Sequence, residues 1–572
     1  MYWLLLVQYL ELNDGTQGRG LSMRSSRRSG NFNLGGESAE NDPLLSEAFF
    51  ESDDYLTIAS KNDDRRCFLI ARTGSGKSAV LRRLVEDNPD HVIRIDPEDL
   101  SLPYITNLNI MKYLDDLQVH LDPLFIALWK HVLLVELIRA RYNVDSPAAK
   151  ANFLNSLREK IRRDPGKKAA LDYLEEFQDR FWAQTDERVR EITERFEQRI
   201  DAEGKARISI GNSTEANLGT NSGNTSSTET RTELANRYQR IVNETQLARL
   251  NKMIKVLDED ILESKQDFRY VVIDDLDRDW VDERIANSLI RCLFRAVLDL
   301  QRVKNLKVIV ALRTNIFEHL DFGNKSGGQE EKFRALVLKM RWTSGELKDL
   351  VDERLKVATR EHSRPVSSMS QVLPRVNSRR GDAMDYIISR TLMRPRDTIS
   401  YVNECFMASE GRECITWDDI HKAEGPYSRN RLLALRDEWK PSYPGIDKLF
   451  EIFDGATVPL SKEVFARKLE DAALIATDRG FEGTEWLGEL TALMWHNASG
   501  DDPMKWCAPL TRFLYGIGFV GCATGVRTPV KFVYEEPDFL TRPSTLQAAT
   551  HFDIHPAFQT ALDCRVDHSW LY

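Results

Sequence analysis

The chain has 572 residues, 42% of them hydrophobic and 29% charged, and carries a net charge of −10. That length exceeds one ordinary core and implies roughly two to four domains, and the composition is that of a folded chain rather than a disordered or membrane-embedded one. The acidic balance excludes an overall basic field that would draw the protein to nucleic acid, so any DNA contact must be local.

The N-terminal "MYWLLLVQYL" is a short apolar run without a basic leader. It falls below the span length of about 20 residues, so neither a signal nor a membrane anchor is expected. The following "GTQGRGLSMRSSRRSGNFNLGG" is rich in Gly, Ser and Arg, and residues 1–34 read as a flexible tail, with Met23 as an alternative start. The seven cysteines are scattered without a C-x-x-C pair, which suits buried thiols in a reducing cytosol. A cytoplasmic location is expected.

"CFLIARTGSGKSAVLRRL", Cys67 to Leu84, reads as a buried strand, a glycine loop and a helix from about Ala79. The phosphate-binding pattern G-x-x-x-x-G-K-[ST] is complete except at its first position, where Ala71 stands. Glycine is needed where the backbone takes a positive φ or closely approaches a phosphate, and Gly74 and Gly76 supply those positions. Ala71 stands at the strand end, where a small side chain suffices. Thr73, Gly74, Ser75, Gly76, Lys77, Ser78 and Ala79 are the residues expected to hold ATP. Lys77 would reach the β- and γ-phosphates, Ser78 would ligate Mg²⁺, and the helix N-terminus would face the phosphates.

From Lys77 to the next strand the chain runs far longer than ordinary connections in a compact α/β unit. The apolar "LDPLFIALWKHVLLVELI" is expected to pack against the sheet. Residues from about 145 to 266 read as an inserted helical arm, broken at 204–232 by a polar segment with too little apolar surface to offset its ordering entropy.

"FRYVVIDDLDRDW" supplies a second buried strand, Tyr270 to Ile273, ending in Asp274 and Asp275. Ligands in open parallel sheets bind at that end of the strands. Asp274 is the expected Mg²⁺ ligand, through water. Asp275 is the candidate to polarise an attacking water. Asp277 and Arg278 read as a surface ion pair.

The third strand, Val308 to Ala311, is followed by Arg313, Thr314 and Asn315. If this strand lies between the other two, Arg313 is the preferred γ-phosphate sensor and Asn315 the second choice, because a guanidinium has charge and reach. Farther on, Ala335 to Met340 reads as a strand, and Thr343-x-x-Glu346 as a capping box that opens a helix. Arg334 could serve a neighbouring subunit as an arginine finger; a solvated helix-end arginine is the alternative.

The order of "ARTGSGKS", "VVIDDLDR", "VIVALRTN" and "LMRPRDTISYVNEC" resembles ATPases of the AAA+/STAND kind, near origin-recognition initiators and the KAP P-loop proteins. More closely, it is similar to a bacterial family of P-loop ATPases often met near mobile-element or phage-defence genes, over about Gly35 to Phe558. The resemblance implies an α/β P-loop core with a helical insertion, a helical lid, and a C-terminal helical and winged-helix region. It also implies ATP and Mg²⁺ as ligands, a homo-oligomer, and a separately encoded effector. A second sensor arginine at the start of a lid helix falls on Arg394 or Arg396 in "RPRD"; pairing of Arg396 with Asp397 is the alternative. Asp275 stands where relatives carry glutamate, so hydrolysis is expected to be slow.

The domains expected are therefore the ATPase at 35–350, a lid at 351–425 and a C-terminal unit at 426–572. In the last, the helix "PLTRFLYGIGF" followed by strands "FVGCAT" and "VKFVYE" suggests a winged helix. Its basic residues Arg512, Arg527, Lys531 and Arg542 are offset by Glu535, Glu536, Asp538, Asp553 and Asp563, which favours protein contact or autoinhibition over DNA binding. His551 and His555 stand four apart, but Pro556 and the alternating pattern argue against a helical two-histidine metal site. Two readings remain: an ATP-operated switch that controls an effector, in phage defence as the resemblance implies, or a DNA-engaging initiator or loader. A P-loop kinase is disfavoured because the Asp pair, the sensor-like strand and the lid point to attack by water.

Overall fold

A computed structural model of the chain describes residues 33–61, 63–95, 114, 116–142, 152, 155–159, 235–236, 238–239, 247–276, 283–318, 320, 330–362, 365–376, 380–496 and 502–567. The expected tail before residue 33, the polar segment at 204–232, most of the arm, and Asp277 with Arg278 lie outside the described residues.

Five parallel strands form the core sheet: β1 (Phe68–Ala71), β2 (Val92–Ile95), β3 (Arg269–Ile273), β4 (Leu306–Arg313) and β5 (Val337–Lys339). Their order is β2-β3-β4-β1-β5, so β4 separates the phosphate-loop strand from the aspartate strand. The central strands are covered on both faces, and this is why β1, β3 and β4 are near-continuous apolar runs. β2 carries Arg94 in a half-exposed edge strand, and its weak pattern left it without a sequence signal.

One face of the sheet is covered by the helices Asp122–Tyr142 and Glu283–Leu300, joined by the indole of Trp129, which donates to the Leu289 carbonyl (2.9 Å). Phe294 stacks on Phe68 of β1. The helix Leu247–Val256, where the arm returns, buries Leu250, Met253 and Ile254 in the same core. The other face holds the loop helix Lys77–Asp87, through Val80, Leu81 and Leu84, and the helix Asp53–Ala59, through Tyr55 and Ile58.

The lid core is built by the helices Ser344–Ala358, Ala383–Ser389 and Pro395–Ala408, and by the first half of Trp417–Trp439. The capping box forms as expected, with Thr343 and Glu346 each accepting from the other's backbone N–H. Trp417–Trp439 then continues into a second core, where Leu435 and Trp439 pack with the C-terminal region. The boundaries placed at 350 and 425 thus fall inside Ser344–Ala358 and Trp417–Trp439. Leu34, placed in the flexible tail by composition, is fully buried in the lid core; its amide donates to Asn403 (2.8 Å) and its carbonyl accepts from Arg354 (2.7 Å).

The C-terminal region carries two small sheets. β6 (Thr457–Val458) pairs in parallel with β10 (Arg565–Val566). β7 (Leu460–Ser461), β8 (Val520–Ala523) and β9 (His551–Ile554) form an antiparallel sheet ordered β7-β9-β8. The helix expected before β8 runs Ala508–Gly516. The expected second hairpin strand "VKFVYE" is not one: only Lys531 bridges β8, at Cys522. Glu535 accepts from the Phe532 amide and its own amide donates to the Phe532 carbonyl, closing a turn there. The partner of β8 is β9, the alternating segment that contains His551.

Candidate nucleotide-binding site

β1 ends at Ala71, directly beside Arg313 at the end of β4 in the parallel register. The loop that follows takes positive φ at Gly74 (82°) and Gly76 (99°), the two positions expected to need glycine. A Cβ at Gly74 would stand 2.9 Å from the Cβ of Arg396, so that glycine also admits the lid. The helix begins at Lys77, two residues earlier than the sequence reading, with Gly76 as its N-cap.

A cleft of about 300 Å³ opens over this loop. Thr73, Gly74, Gly76, Lys77, Ser78 and Ala79 line its floor, and Asp274, Asp275 and Arg313 its strand-end wall. Pro395 and Arg396 close the lid side. The wall that sequence reasoning missed is the segment from Gly36 to Asp42, which contributes Gly36, Glu37, Ala39, Glu40 and Asp42. It is held by a buried ion pair between Asp42 and Arg354 (2.7 Å). No periodic pattern marks such an irregular strap.

Lys77 Nζ donates to the Ala71 carbonyl (3.0 Å) across the base of the loop. Ser78 Oγ is 3.4 Å from Asp274 Oδ2. Asp274 Oδ1 accepts the amide of Asp275 (2.9 Å), and Asp275 itself adopts φ = 57°, a left-handed conformation rare outside glycine. A hydroxyl, a carboxylate, an ammonium and a glycine cradle converging on one cleft are the donor set that a nucleoside triphosphate with Mg²⁺ requires. The residues fit both groups.

Not every expected residue lines the cleft. Ser75 is buried; its carbonyl accepts from the Trp342 indole (2.9 Å), which braces the loop. Asn315, in the first turn of Thr314–Glu318, and the exposed Arg334, at the end of Glu330–Arg334, lie outside the lining.

The two lid arginines divide. Arg396 lines the cleft, its amide donating to the Gly74 carbonyl (3.3 Å) and its Nε to the Glu37 carbonyl (2.9 Å). Arg394 is buried beneath the loop, bonded to Asp397 (3.0 Å), Glu438 (3.3 Å) and the Thr73 carbonyl (2.7 Å). Pairing with Asp397, weighed above for Arg396, is made by Arg394 instead.

Arg394 belongs to a chain of alternating charges, buried except at its exposed end Glu37, that no motif announced. It runs Glu37, Arg431, Asp397, Arg394, Glu438, Arg72, with Arg431 at 2.9 Å from Glu37 and 3.0 Å from Asp397. Burial alone would raise the Asp397 carboxyl, but Arg394 and Arg431 outweigh it and hold Asp397 at about 2. Glu438 is likewise pushed up by burial, yet kept below its ordinary value by Arg72 and Arg394.

At the C-terminal end, His555 is fully buried, with Nδ1 accepting the Ala557 amide (3.1 Å) and Nε2 3.2 Å from the Tyr534 hydroxyl. His551 lies on the strand β9 rather than on a helix. Among the described residues no helix is long and apolar enough to cross a membrane.

A family profile described as the FunZ-associated C-terminal helical domain (FunZ_C) matches residues 345–436, the lid and most of the long helix. Among solved structures the chain is similar to Cdc6p from Pyrobaculum aerophilum, at 12% identity and a TM-score of 0.27, covering 91% of this chain and 98% of that one. It is also similar to the Aeropyrum pernix ORC1 protein in complex with DNA, at 11% identity and a TM-score of 0.28, covering 89% of this chain and 91% of that one. No curated protein matches the chain. The parallel-sheet α/β core with its helical C-terminal region stands as the fold.

Proposed function

We propose that the protein is an ATP-binding, slowly hydrolysing ATPase that works as a molecular switch. The observation that carries this reading is the convergence of Lys77, Ser78, Asp274, Asp275 and Arg313 on one cleft from three different elements. The loop amides and Lys77 bind the phosphates, and Ser78 with Asp274 holds Mg²⁺. Bound Mg²⁺ supplies charge neutralisation on the phosphate oxygens. Asp275 orients and deprotonates the attacking water. As an aspartate it is one methylene shorter than glutamate, and slow turnover follows. Arg313 reads the γ-phosphate from β4, and Arg396 reads it from the lid, so that lid position depends on nucleotide state. Arg334 serves as an arginine finger towards a second copy in a homo-oligomer.

In this reading the ATP-bound form assembles and controls a separately encoded effector, in anti-phage defence or a related cytoplasmic role. The test is ATP binding and turnover beside particle mass with and without ATP. ATP-dependent assembly supports the switch; an ATP-independent mass counts against it.

A DNA-engaging initiator is the second reading. The observation that favours it is the C-terminal order of helix, strand, helices and two further strands, with the β7-β9-β8 sheet, which suits a winged helix. Duplex binding that weakens steeply between two salt concentrations would support it.

A further inference from the structure

The first variable position of the phosphate loop, Arg72, does not line the cleft, although its neighbour Thr73 does. Arg72 points the other way, and its Nη2 donates to the carbonyl of Ile517 (2.7 Å), at the junction between the helix Ala508–Gly516 and β8. The same nitrogen is 3.7 Å from Glu438 at the end of Trp417–Trp439. Gly518 takes φ = 80°, and a Cβ there would stand 2.6 Å from Arg72 Nη1, so this glycine admits the guanidinium. Thr73 is gripped from the same side: its amide donates to Glu438 Oε1 (3.3 Å) and its carbonyl accepts from Arg394.

Two residues immediately before Gly74 are therefore held by groups from the lid and the C-terminal core. The hold is imperfect. Arg72 Nε and Nη1 and Thr73 Oγ1 are buried without a hydrogen-bond partner among the described residues. A joint built with unmet donors lies closer in energy to a rearranged alternative than a fully satisfied one.

We propose that Arg72 and Glu438 form a coupling joint through which phosphate binding at the loop and the position of the C-terminal domain control each other. The inference rests on the nucleotide reading above and adds its regulation. Curling of the loop around a phosphate displaces Thr73 and Arg72, and the displacement reaches Ile517 and Gly518 through the guanidinium and Glu438. Because coupling between sites is reciprocal, a partner that seats on the C-terminal domain adjusts ATP affinity by the same factor.

The test combines calorimetric ATP affinity with hydrogen exchange of peptides spanning 509–524, measured with and without ATP and Mg²⁺, on the full chain. Wild type is expected to show an ATP-dependent change in exchange at Ile517–Phe519. Arg72→Ala should lose that change and bind ATP more tightly, by up to the roughly 5- to 150-fold usual for coupling between sites, because the joint that the phosphate displaces is already broken. Should Arg72→Ala fail to fold because it strands the Glu438 carboxylate, the double variant Arg72→Ala/Glu438→Gln removes both charges and must equally lack the ATP-dependent change. A merely structural staple would alter exchange to the same extent with and without ATP. Wild type that binds ATP without any response at Ile517–Phe519, or variants that keep both the response and the affinity, would overturn the joint while leaving the nucleotide site standing. Wild type that does not bind ATP overturns the nucleotide reading and the joint with it.

Discussion

Ser78 Oγ and Asp274 Oδ2 face each other at 3.4 Å across the gap between the loop helix and the end of β3. Two hard oxygen donors brought so close by residues distant in sequence are suited to share one Mg²⁺. Asp274→Ala should abolish the strengthening of ATP binding by Mg²⁺, and Lys77→Ala should weaken ATP binding by about two orders of magnitude through loss of a charged phosphate contact. Calorimetry with and without Mg²⁺ checks both. Wild-type affinity in Lys77→Ala would remove the loop from nucleotide binding.

Hydrolysis and binding should be separable at Asp275. Asn tolerates the left-handed backbone of this position as well as Asp does, so Asp275→Asn should fold normally and retain ATP. Its turnover should fall about 10²- to 10⁴-fold, the usual contribution of a general base. Mass photometry of the trapped protein, with Lys77→Ala as the empty control, should show the ATP-favoured assembly accumulating. Undiminished turnover would take Asp275 out of the chemistry.

The lid arginines should fail in opposite ways. Arg394→Ala leaves Asp397 and Glu438 short of a buried partner, and breaking such a network costs about 3–5 kcal/mol, read as a lowered melting temperature without nucleotide. Arg396→Ala touches no buried ion pair and should melt within about 1 kcal/mol of wild type. Its defect should appear as weaker ATP binding. Equal melting of the two variants would contradict the division.

Two buried groups, His555 and Asp397, lose their contribution to stability in acid over distinguishable windows, whereas Asp553, raised by burial to about 7, adds stability as pH falls towards 3.8. Burial lowers the His555 imidazole from 6.5 to about 3, so the unfolded chain takes up a proton below pH 6.5 that the folded chain refuses until about pH 3. Stability from this group is complete above pH 6.5 and falls by roughly 3 kcal/mol by pH 4. Asp397, held at about 2 against an ordinary 3.8, contributes stability that is present above pH 3.8 and lost as pH falls through about 2. In urea titrations His555→Asn, which keeps an acceptor for the Ala557 amide, should gain stability relative to wild type as pH falls from 6.5 to 4 and leave the lower window unchanged.

The sequence by itself determined the glycine loop, the aspartate strand, the apolar strand that ends at Arg313 and the capping box at Thr343. In each case a few contiguous residues must satisfy a local rule: an apolar run to be buried on both faces, glycines for positive φ, a carboxylate at a strand end. Ala71 was tolerable because the demanding positions are Gly74 and Gly76. Tertiary structure alone decided that β4 separates β1 from β3, that β9 and not "VKFVYE" completes the sheet with β8, and that Arg396 rather than Arg394 faces the cleft. It also decided that Arg72, Asp397, Arg431 and Glu438 meet in one chain of charges that ends at the exposed Glu37. Each of those residues looks like a solvated surface charge in one dimension. Only the folding of the lid and C-terminal core against the loop removes water from all of them but Glu37 together, and charges deprived of water must find one another.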